Sequence, residues 1–297
     1  MSFKRWFHRF GSSPYVYGLC ARFAPWLAVL AAVLLVVGLY GGLALTPEDY
    51  LQGDSFRIMY IHFPAAAVGM SAYVLMATAA AVGFIWHLKI GHAVAVATAP
   101  LGASFMTLAL VTGAIWGRPT WGTYWEWGDA RLMSSLLLVF LYLGYLALRA
   151  AYEERDKGER VAAVLAVVGV VNVPIIHYSV NWWNTLHQGS TITRADPTIT
   201  ADMAWPLYFT ITGFYLLFGW MLVNRLRGEI VEREASARWL QEYLTHSGPG
   251  TGGDAAQGAG RRTGTGAGRR AGTEGGRHTG TDAGTHTGKQ AGADSRP

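Results

Sequence analysis

Two histidines and one tryptophan-rich stretch are the features of this sequence whose residue types and spacing suggest binding chemistry. His62 lies in YIHFP, and His187 lies in WWNTLHQGS. Between them, residues 116–131 read WGRPTWGTYWEWGDAR, with four tryptophans and one tyrosine within twelve residues. Imidazole binds zinc, copper, nickel and haem iron, but zinc usually gathers three or four ligands, often with cysteine or a carboxylate. No such cluster is visible in the sequence, so the pattern favours a flat, iron-centred ligand.

The resulting hypothesis is a haem between His62 and His187, with the tryptophan-rich stretch against the porphyrin. The candidate cations for its propionates are Arg57, Arg118, Arg131 and Arg194. Other interpretations stay open at this stage. His62 can be a helix-end histidine bonded to backbone or water, and the tryptophans can form an aromatic belt at the membrane surface. His177 fits a packing role within a helix better than ligation, and Glu126 and Asp129 either orient donors or are solvated.

The elements that must position these residues are membrane-spanning helices. Apolar residues make up 51% of the chain and charged residues 14%, whereas a soluble domain carries about 25% charged residues. Six apolar runs approach or exceed the roughly 20 residues that a bilayer core requires of a helix. They lie at about 26–45, 58–86, 95–116, 132–150, 161–180 and 205–224. The sequence therefore predicts an all-α membrane protein with six transmembrane helices. Residues 116–131 are predicted to form a short irregular segment or a surface helix lying flat at the membrane.

The positions of lysine and arginine predict the orientation of these helices. If the N-terminus is cytoplasmic, the inner segments hold thirteen of these residues and the outer segments hold four. Both termini are therefore expected in the cytoplasm, and His62, His177 and His187 are expected on the outer side. Seven of the twelve tryptophans fall on that side as well, so the residues with binding chemistry gather at one face.

Segments of different composition flank the helical region. Residues 1–25 are basic and aromatic and are predicted to be cytoplasmic, partly in the membrane interface. The six-helix domain is predicted at 26–224 and a cytoplasmic amphipathic segment at 225–246. Residues 247–297 are rich in glycine and threonine and contain no large apolar residue, so this tail is predicted to be disordered.

Several kinds of chemistry find no support in the sequence. Cys20 is the single cysteine, so no internal disulfide can form, and no C-x-x-C-H stretch offers covalent haem attachment. No Walker A or dinucleotide-binding glycine pattern opens a predicted helix. We therefore expect neither a nucleotide cofactor nor a nucleic-acid partner. No catalytic nucleophile is evident, and the chain is expected not to be an enzyme.

Three stretches of the chain resemble the haem exporter protein C family of the system I cytochrome c maturation pathway. They are FRIMYIHFPAA (56–66), WGTYWEWGDAR followed by LLLVFLYLGYLAL (121–131 and 136–148), and NVPIIHYSVNWWNTLHQGS (172–190). The resemblance covers roughly residues 14–230. It implies a bacterial inner-membrane protein with six helices and a periplasmic tryptophan-rich domain. Two loop histidines hold haem in this family, and by motif they are His62 and His187.

The resemblance also implies contacts, partners and one departure from the family pattern. The resemblance gives His62, His187, Trp121, Trp125, Trp127 and Asp129 as contacts to a non-covalent, transient haem b, and their neighbours on the outer side, Trp116, Tyr124, Arg131, Trp182 and Trp183, are expected to contact it as well. The expected partners are a membrane-anchored periplasmic haem chaperone (the E component), the ATPase components A and B, a small membrane component D, and membrane lipid. The family pattern sets the aspartate directly after tryptophan, whereas Gly128 separates Trp127 from Asp129 here. Glu126 is therefore a candidate substitute for Asp129.

Two other classes of protein remain as alternatives. A membrane-embedded b-type cytochrome would also use paired histidines, although within its spans. A small-molecule transporter would place charges or broken helices near the membrane midplane. Here both histidines lie near the outer face, and the predicted spans hold almost no charge. Pro100 and Pro174 are weak indications of broken helices.

Overall fold

The six predicted spanning helices are present in the computed structural model of the chain. It describes residues 11–183, 185–187 and 199–247. Residues 1–10, Arg194 and the predicted disordered tail after Ser247 lie outside the described residues. Within them, six helical stretches are long and apolar enough to cross a membrane, and the only extended pairing is an isolated bridge between Asp49 and Gly53. The predicted all-α membrane fold is confirmed.

The described residues form eight helices, of which the fifth and sixth together make one span. They are α1 (Ser13–Tyr40, continued by a π-helical turn at Gly41–Leu45), α2 (Met59–Trp86, preceded by a 3-10 turn at Asp54–Ile58), α3 (Lys89–Trp121), α4 (Ala130–Ala150), α5 (Arg155–Gly169), α6 (Asn172–Trp182), α7 (Ala201–Arg233) and α8 (Arg238–Ser247).

Some helices extend beyond the apolar runs that predicted them. α1 begins at Ser13 rather than near residue 26, because its first turns bury Tyr17 and Cys20 in a cluster shared with α7. α7 continues to Arg233, whose guanidinium lies 2.8 Å from the Glu229 carboxylate one turn earlier. Such i, i+4 pairs support a helix where apolar burial ends. The predicted segment 225–246 therefore comprises the end of α7 and most of α8.

The helices alternate in direction, so the bundle has two ends. The site end carries the end of α1, the start of α2, the end of α3, the start of α4, the end of α6 and the start of α7. The opposite end carries the start of α1, the α2–α3 junction, the α4–α5 junction and the end of α7. The two candidate histidines and the tryptophan-rich stretch all lie at the site end.

Small residues allow close approach between the helices of the bundle. A Cβ atom at Gly91 of α3 would lie 2.7 Å from the backbone nitrogen of Gly83 in α2. A Cβ atom at Gly38 of α1 would lie 2.8 Å from the backbone nitrogen of Thr210 in α7. Close backbone packing is the usual way in which membrane helices associate, because lipid gives no hydrophobic drive between them. The Gly91 contact fixes the register of α2 against α3, on which the position of His62 depends.

A buried ion network joins three helices at the opposite end. The Glu159 side chain of α5 is 1% exposed and lies 2.5 Å from Arg233 of α7. Arg149 of α4 lies 3.8 Å from Glu159 and 3.2 Å from Glu229 of α7. A carboxylate this buried needs such partners, since removing one leaves an uncompensated charge. The network therefore connects α4, α5 and α7.

Candidate functional site

His62 lies near the start of α2 and presents one ring nitrogen to α3. Its Nδ1 atom is 2.9 Å from the backbone oxygen of Ala109 and 3.3 Å from Thr112 Oγ1. The Thr112 hydroxyl donates its own hydrogen to Leu108 O at 2.7 Å, and a carbonyl oxygen can only accept. Nδ1 must therefore carry the proton, which leaves the lone pair on Nε2. This tautomer is the one in which Nε2 can bind a metal.

Gly113 of α3 makes room for the imidazole of His62. A Cβ atom at position 113 would lie 2.8 Å from Cε1 of His62 and 3.2 Å from its Nδ1. On another side of the ring, the indole of Trp116 meets it edge-on, with the ring centroids 5.7 Å apart. Trp116 is itself held by a hydrogen bond from Nε1 to Gln52 Oε1 at 2.8 Å. The orientation of His62 is thus determined by side chains and backbone of α3.

The tryptophan-rich stretch is partly helical and partly irregular. Residues 116–121 continue α3 to Trp121, so the prediction of a separate surface segment is wrong for them. The helix ends at Gly122, whose φ of +81° few other residues adopt, and Arg118 donates to the Gly122 carbonyl oxygen. A Cβ atom at Gly117 would lie 3.0 Å from Thr123 O. The chain therefore folds back tightly over α3, and residues 122–129 are irregular as predicted.

The aromatic side chains of this segment differ in exposure. Trp127 is 74% exposed and Tyr124 is 61% exposed, with Arg118 over the Tyr124 ring at 5.7 Å. Trp125 packs edge-on against Trp127, with centroids 5.7 Å apart. Its Nε1 is buried without a hydrogen-bond partner in the described part of the chain. Large exposed aromatic groups together with an unused buried donor are features of a binding surface.

Asp129 connects the start of α4 to the loop that follows α6. It is 2% exposed, and its Oδ1 accepts the backbone N–H of Leu132 at 2.9 Å as the N-cap of α4. Its Oδ2 accepts the backbone N–H of Leu186 at 2.7 Å. Glu126 is exposed and accepts from Gly128 N at 3.1 Å. Asp129 therefore keeps a structural position despite Gly128, and Glu126 does not replace it.

His187 lies beside Asp129 with a buried and unused ring nitrogen. Its side chain is 15% exposed, and Nδ1 lies 3.7 Å from Asp129 Oδ1, beyond hydrogen-bonding distance. The ring is tilted against Trp121, with centroids 5.0 Å apart. Burial lowers the pKa of His187 to about 4, although the Asp129 carboxylate opposes that shift. The ring is therefore neutral at physiological pH, as a metal-binding imidazole must be.

Both candidate ligands are in ring contact with tryptophans of α3. The charge of Arg131 adds to the lowering of the pKa of His187. Trp116 and Trp121 lie on successive turns of α3, one against His62 and the other against His187. The cleft between α3 and the irregular segment has room for about one water molecule. A porphyrin would therefore have to lie against the exposed rings, since this cleft cannot enclose it.

The remaining predicted residues surround this pair at the site end. Arg131 of α4 donates to Ser179 Oγ at 3.3 Å and to the backbone oxygen of His177 at 3.2 Å, which joins α4 to α6. The ring of His177 is exposed and packs against Tyr178 within α6. Trp182 and Trp183 are 58% and 50% exposed. Of the predicted cations, Arg57 donates to the Thr46 carbonyl oxygen at 2.8 Å and thereby holds the end of α1.

Sequence reasoning missed Ala109, Thr112 and Gly113 of α3, which orient His62. Two of them act through a backbone carbonyl or through the lack of a side chain, and neither leaves a recognisable signal in one sequence. Their spacing along α3 puts them on one face of the helix. Residues with the same spacing occur on every face of α3, so the spacing alone does not identify these three.

Fold and site together define a multipass membrane protein that gathers imidazole and indole side chains at one end of a six-helix bundle. The chain belongs to the Heme exporter protein C family, whose family model matches residues 6–241.

Curated relatives agree with this assignment. The chain is 47% identical over 238 residues to Heme exporter protein C of Haemophilus influenzae, covering 80% of this chain and 96% of the relative. It is 46% identical over 241 residues to Heme exporter protein C of Escherichia coli, covering 81% and 97%. With the protein of that name from Bradyrhizobium diazoefficiens it shares 44% identity over 225 residues, covering 75% and 85%.

Proposed function

We propose that this protein binds haem b at the site end, with His62 and His187 as axial ligands, and passes it to a membrane-anchored haem chaperone during cytochrome c maturation. The name of the relatives, Heme exporter protein C, supports a role in haem export. The observation that carries the proposal is the hydrogen bond from His62 Nδ1 to Ala109 O, because it leaves Nε2 free to bind iron.

His187 would supply the second ligand. Its Nδ1 has a neighbouring acceptor, the Asp129 carboxylate, but does not form the hydrogen bond that Nδ1 of His62 forms with Ala109 O. A shift of a few tenths of an ångström would bring its Nδ1 from 3.7 Å to hydrogen-bonding distance of Asp129. The carboxylate would then fix the tautomer and make the imidazole a stronger donor to iron. Asp129 is held by two backbone N–H groups, so the ligand would turn toward a fixed acceptor.

Most of the affinity for the porphyrin would come from aromatic carbon. Tyr124, Trp127, Trp182 and Trp183 are each at least half exposed. Covering apolar surface contributes roughly 25 cal/mol per Å². Arg118 and Arg131 are the described cations near these rings, and both keep N–H groups that could meet a propionate. The cleft encloses too little space to bury the ligand fully, which suits a carrier that must release it.

The proposal includes the orientation and the partners of the protein. Lysine and arginine are concentrated on the segments of the opposite end, so we assign that end and both termini to the cytoplasm and the site end to the periplasm of a bacterial inner membrane. The chaperone (the E component) would then approach the site end. The ATPase components A and B and the small component D complete the complex, and this chain acts as a transfer component, not as a catalyst.

A b-type cytochrome fits the geometry less well. Two-haem electron transfer across a membrane requires histidine pairs at different depths, whereas His62 and His187 share one end of the bundle. Transport of another small molecule is not supported by the two cavities described, which lie at the two ends of the bundle.

The test is the absorption spectrum of the purified protein in detergent after haem addition. Wild type is expected to give the low-spin spectrum of bis-histidine haem. His62→Ala and His187→Ala should each lose or alter it, and both should transfer less haem to the chaperone. His177→Ala is the matched control, because its ring is exposed at the same end. Unchanged spectra in both ligand variants, with intact folding, would refute the assignment.

A further inference from the structure

A cavity of about 290 Å³, lined by both charged and apolar residues, lies at the opposite end of the bundle, away from the proposed haem site. Its walls come from the α2–α3 junction, the first turns of α5, the end of α7 and the start of α1. Nothing in the proposed function uses it. The question is which kind of ligand its chemistry suits.

Two cations at this cavity have no carboxylate within 4.0 Å among the described residues. They are Lys89, in the first turn of α3, and Arg160, in the second turn of α5. Arg160 donates to His87 Nε2 at 2.9 Å, so Nδ1 of a neutral His87 carries a proton. Both cations are exposed toward water, and each can therefore reach an incoming anion.

Two helix N-termini meet at the same cavity. α3 begins at Lys89 after Leu88, and α5 begins at Arg155 after Glu154; neither preceding side chain caps its helix. The first N–H groups of each helix therefore lack side-chain partners. Each N-terminus adds roughly half a positive charge, and such termini commonly bind phosphate.

A buried polar group at the cavity provides independent evidence for a ligand. His92 is 9% exposed and lines the cavity, and its Nδ1 is buried without a hydrogen-bond partner among the described residues, although the Gly83 backbone lies beside the ring. An unpaired polar atom of this kind is costly unless something satisfies it. A bound oxyanion or its hydrating water would do so once the His92 ring turns this nitrogen toward the cavity.

The acidic residues of the cavity do not cancel its positive character. Glu159 is paired with Arg233 at 2.5 Å. Glu234 accepts hydrogen bonds from Ser13 Oγ and, at 2.6 Å, from Trp239 Nε1. Asp156 is exposed in the first turn of α5, where the helix dipole favours a carboxylate. Since two of the three carboxylates are already engaged, the cavity suits an anion better than an ammonium group.

We propose that this cavity binds a phosphate group, either the headgroup phosphate of an anionic phospholipid or free phosphate. Lys89, Arg160 and the two helix N-termini hold its oxygens. The cavity opens at the end of the membrane-spanning helices, which is the depth of lipid headgroups. Anionic lipid near a basic surface gains affinity with every lysine or arginine that reaches it.

The experiment measures lipid retained by the full chain in native mass spectrometry, after exchange into detergent with phosphatidylglycerol or phosphatidylcholine. Phosphatidylglycerol should be retained preferentially. Lys89→Gln and Arg160→Gln should each weaken its binding about fivefold. Lys157→Gln is the matched control, because Lys157 lies in the first turn of α5, outside the cavity and against the Tyr152 ring. This variant should bind phosphatidylglycerol as strongly as wild type does.

Titration with inorganic phosphate distinguishes the two sources. If millimolar phosphate displaces phosphatidylglycerol from wild type but not from Lys89→Gln or Arg160→Gln, the site binds the free anion. Retention of phosphatidylglycerol despite phosphate supports the headgroup. Equal retention of both lipids with no effect of phosphate, or an equal loss in Lys157→Gln, overturns the proposal. The haem spectrum should not change in any of these variants, so failure here leaves the proposed function untouched.

Discussion

Replacing Gly113 by alanine tests whether the packing of α3 against His62 controls haem binding. The new Cβ would lie 2.8 Å from Cε1 of His62, whereas ordinary contacts begin at 3.4 Å. The imidazole must therefore move by about 0.6 Å, or α2 and α3 must separate by that distance. A movement of this size away from α3 would stretch the 2.9 Å bond to Ala109 O to the limit of hydrogen bonding.

The expected effect follows from the loss of that one hydrogen bond. Its net contribution is about 0.5–1.5 kcal/mol, so haem affinity should fall roughly three- to tenfold. The assay is titration of the detergent-purified protein with haem, followed by Soret absorbance. The control is Gly228→Ala in α7, where a Cβ meets no atom within 4 Å. Wild-type affinity in a folded Gly113→Ala variant would refute the role of this contact, as would an equal loss in the control.

Three further predictions concern the supports of the site and of the bundle. Asp129→Ala leaves two backbone N–H groups unpaired and should lower the unfolding free energy by about 2–4 kcal/mol in denaturant titrations; Glu126→Ala should change it by less than about 0.5 kcal/mol. Because the pKa of His187 falls to about 4 in the folded protein, stability should be full above pH 6.5 and decline by about 3 kcal/mol as pH falls from 6.5 to 4; a His187→Gln variant that declines equally would contradict this. Glu159→Gln removes one of the two carboxylates that contact Arg233 and should cost about 1.5–3 kcal/mol in thermal unfolding with an unchanged haem spectrum, whereas a coupled loss of haem would contradict the separation of the two ends.

The sequence predicts the spans well because long apolar runs admit few other structures in a membrane. It predicts their ends poorly. Residues 116–131 were predicted to lie outside the span, yet α3 continues through Pro119 to Trp121, since a proline near the end of a membrane helix is tolerated when neighbours satisfy the freed carbonyl groups. The start of α1 depends on burial of Tyr17 against α7, a contact that no local pattern encodes.

The candidate site likewise has residues that the sequence identifies and contacts that only the structure shows. Histidine and tryptophan have distinctive chemistry, so His62, His187 and the indoles can be found from residue type and position alone. The acceptor for His62 is the backbone oxygen of Ala109, and every residue has such an oxygen. The sequence left open whether Gly128 displaces Asp129, which is decided by the hydrogen bonds to Leu132 and Leu186.

The two ends of the bundle differ in the interactions that hold them together, and this difference bears on how the proposed haem transfer would occur. At the opposite end, separation of α4, α5 and α7 would break several ion pairs around Glu159 at once. At the site end, the bond that the described residues 185–187 make to α4 runs from Leu186 N to Asp129. Opening that bond costs about 1.5–3 kcal/mol, which thermal motion crosses on the timescale of loop movements. Under the proposed function, haem could therefore be loaded and released by a local change at the site end while the six helices keep their packing.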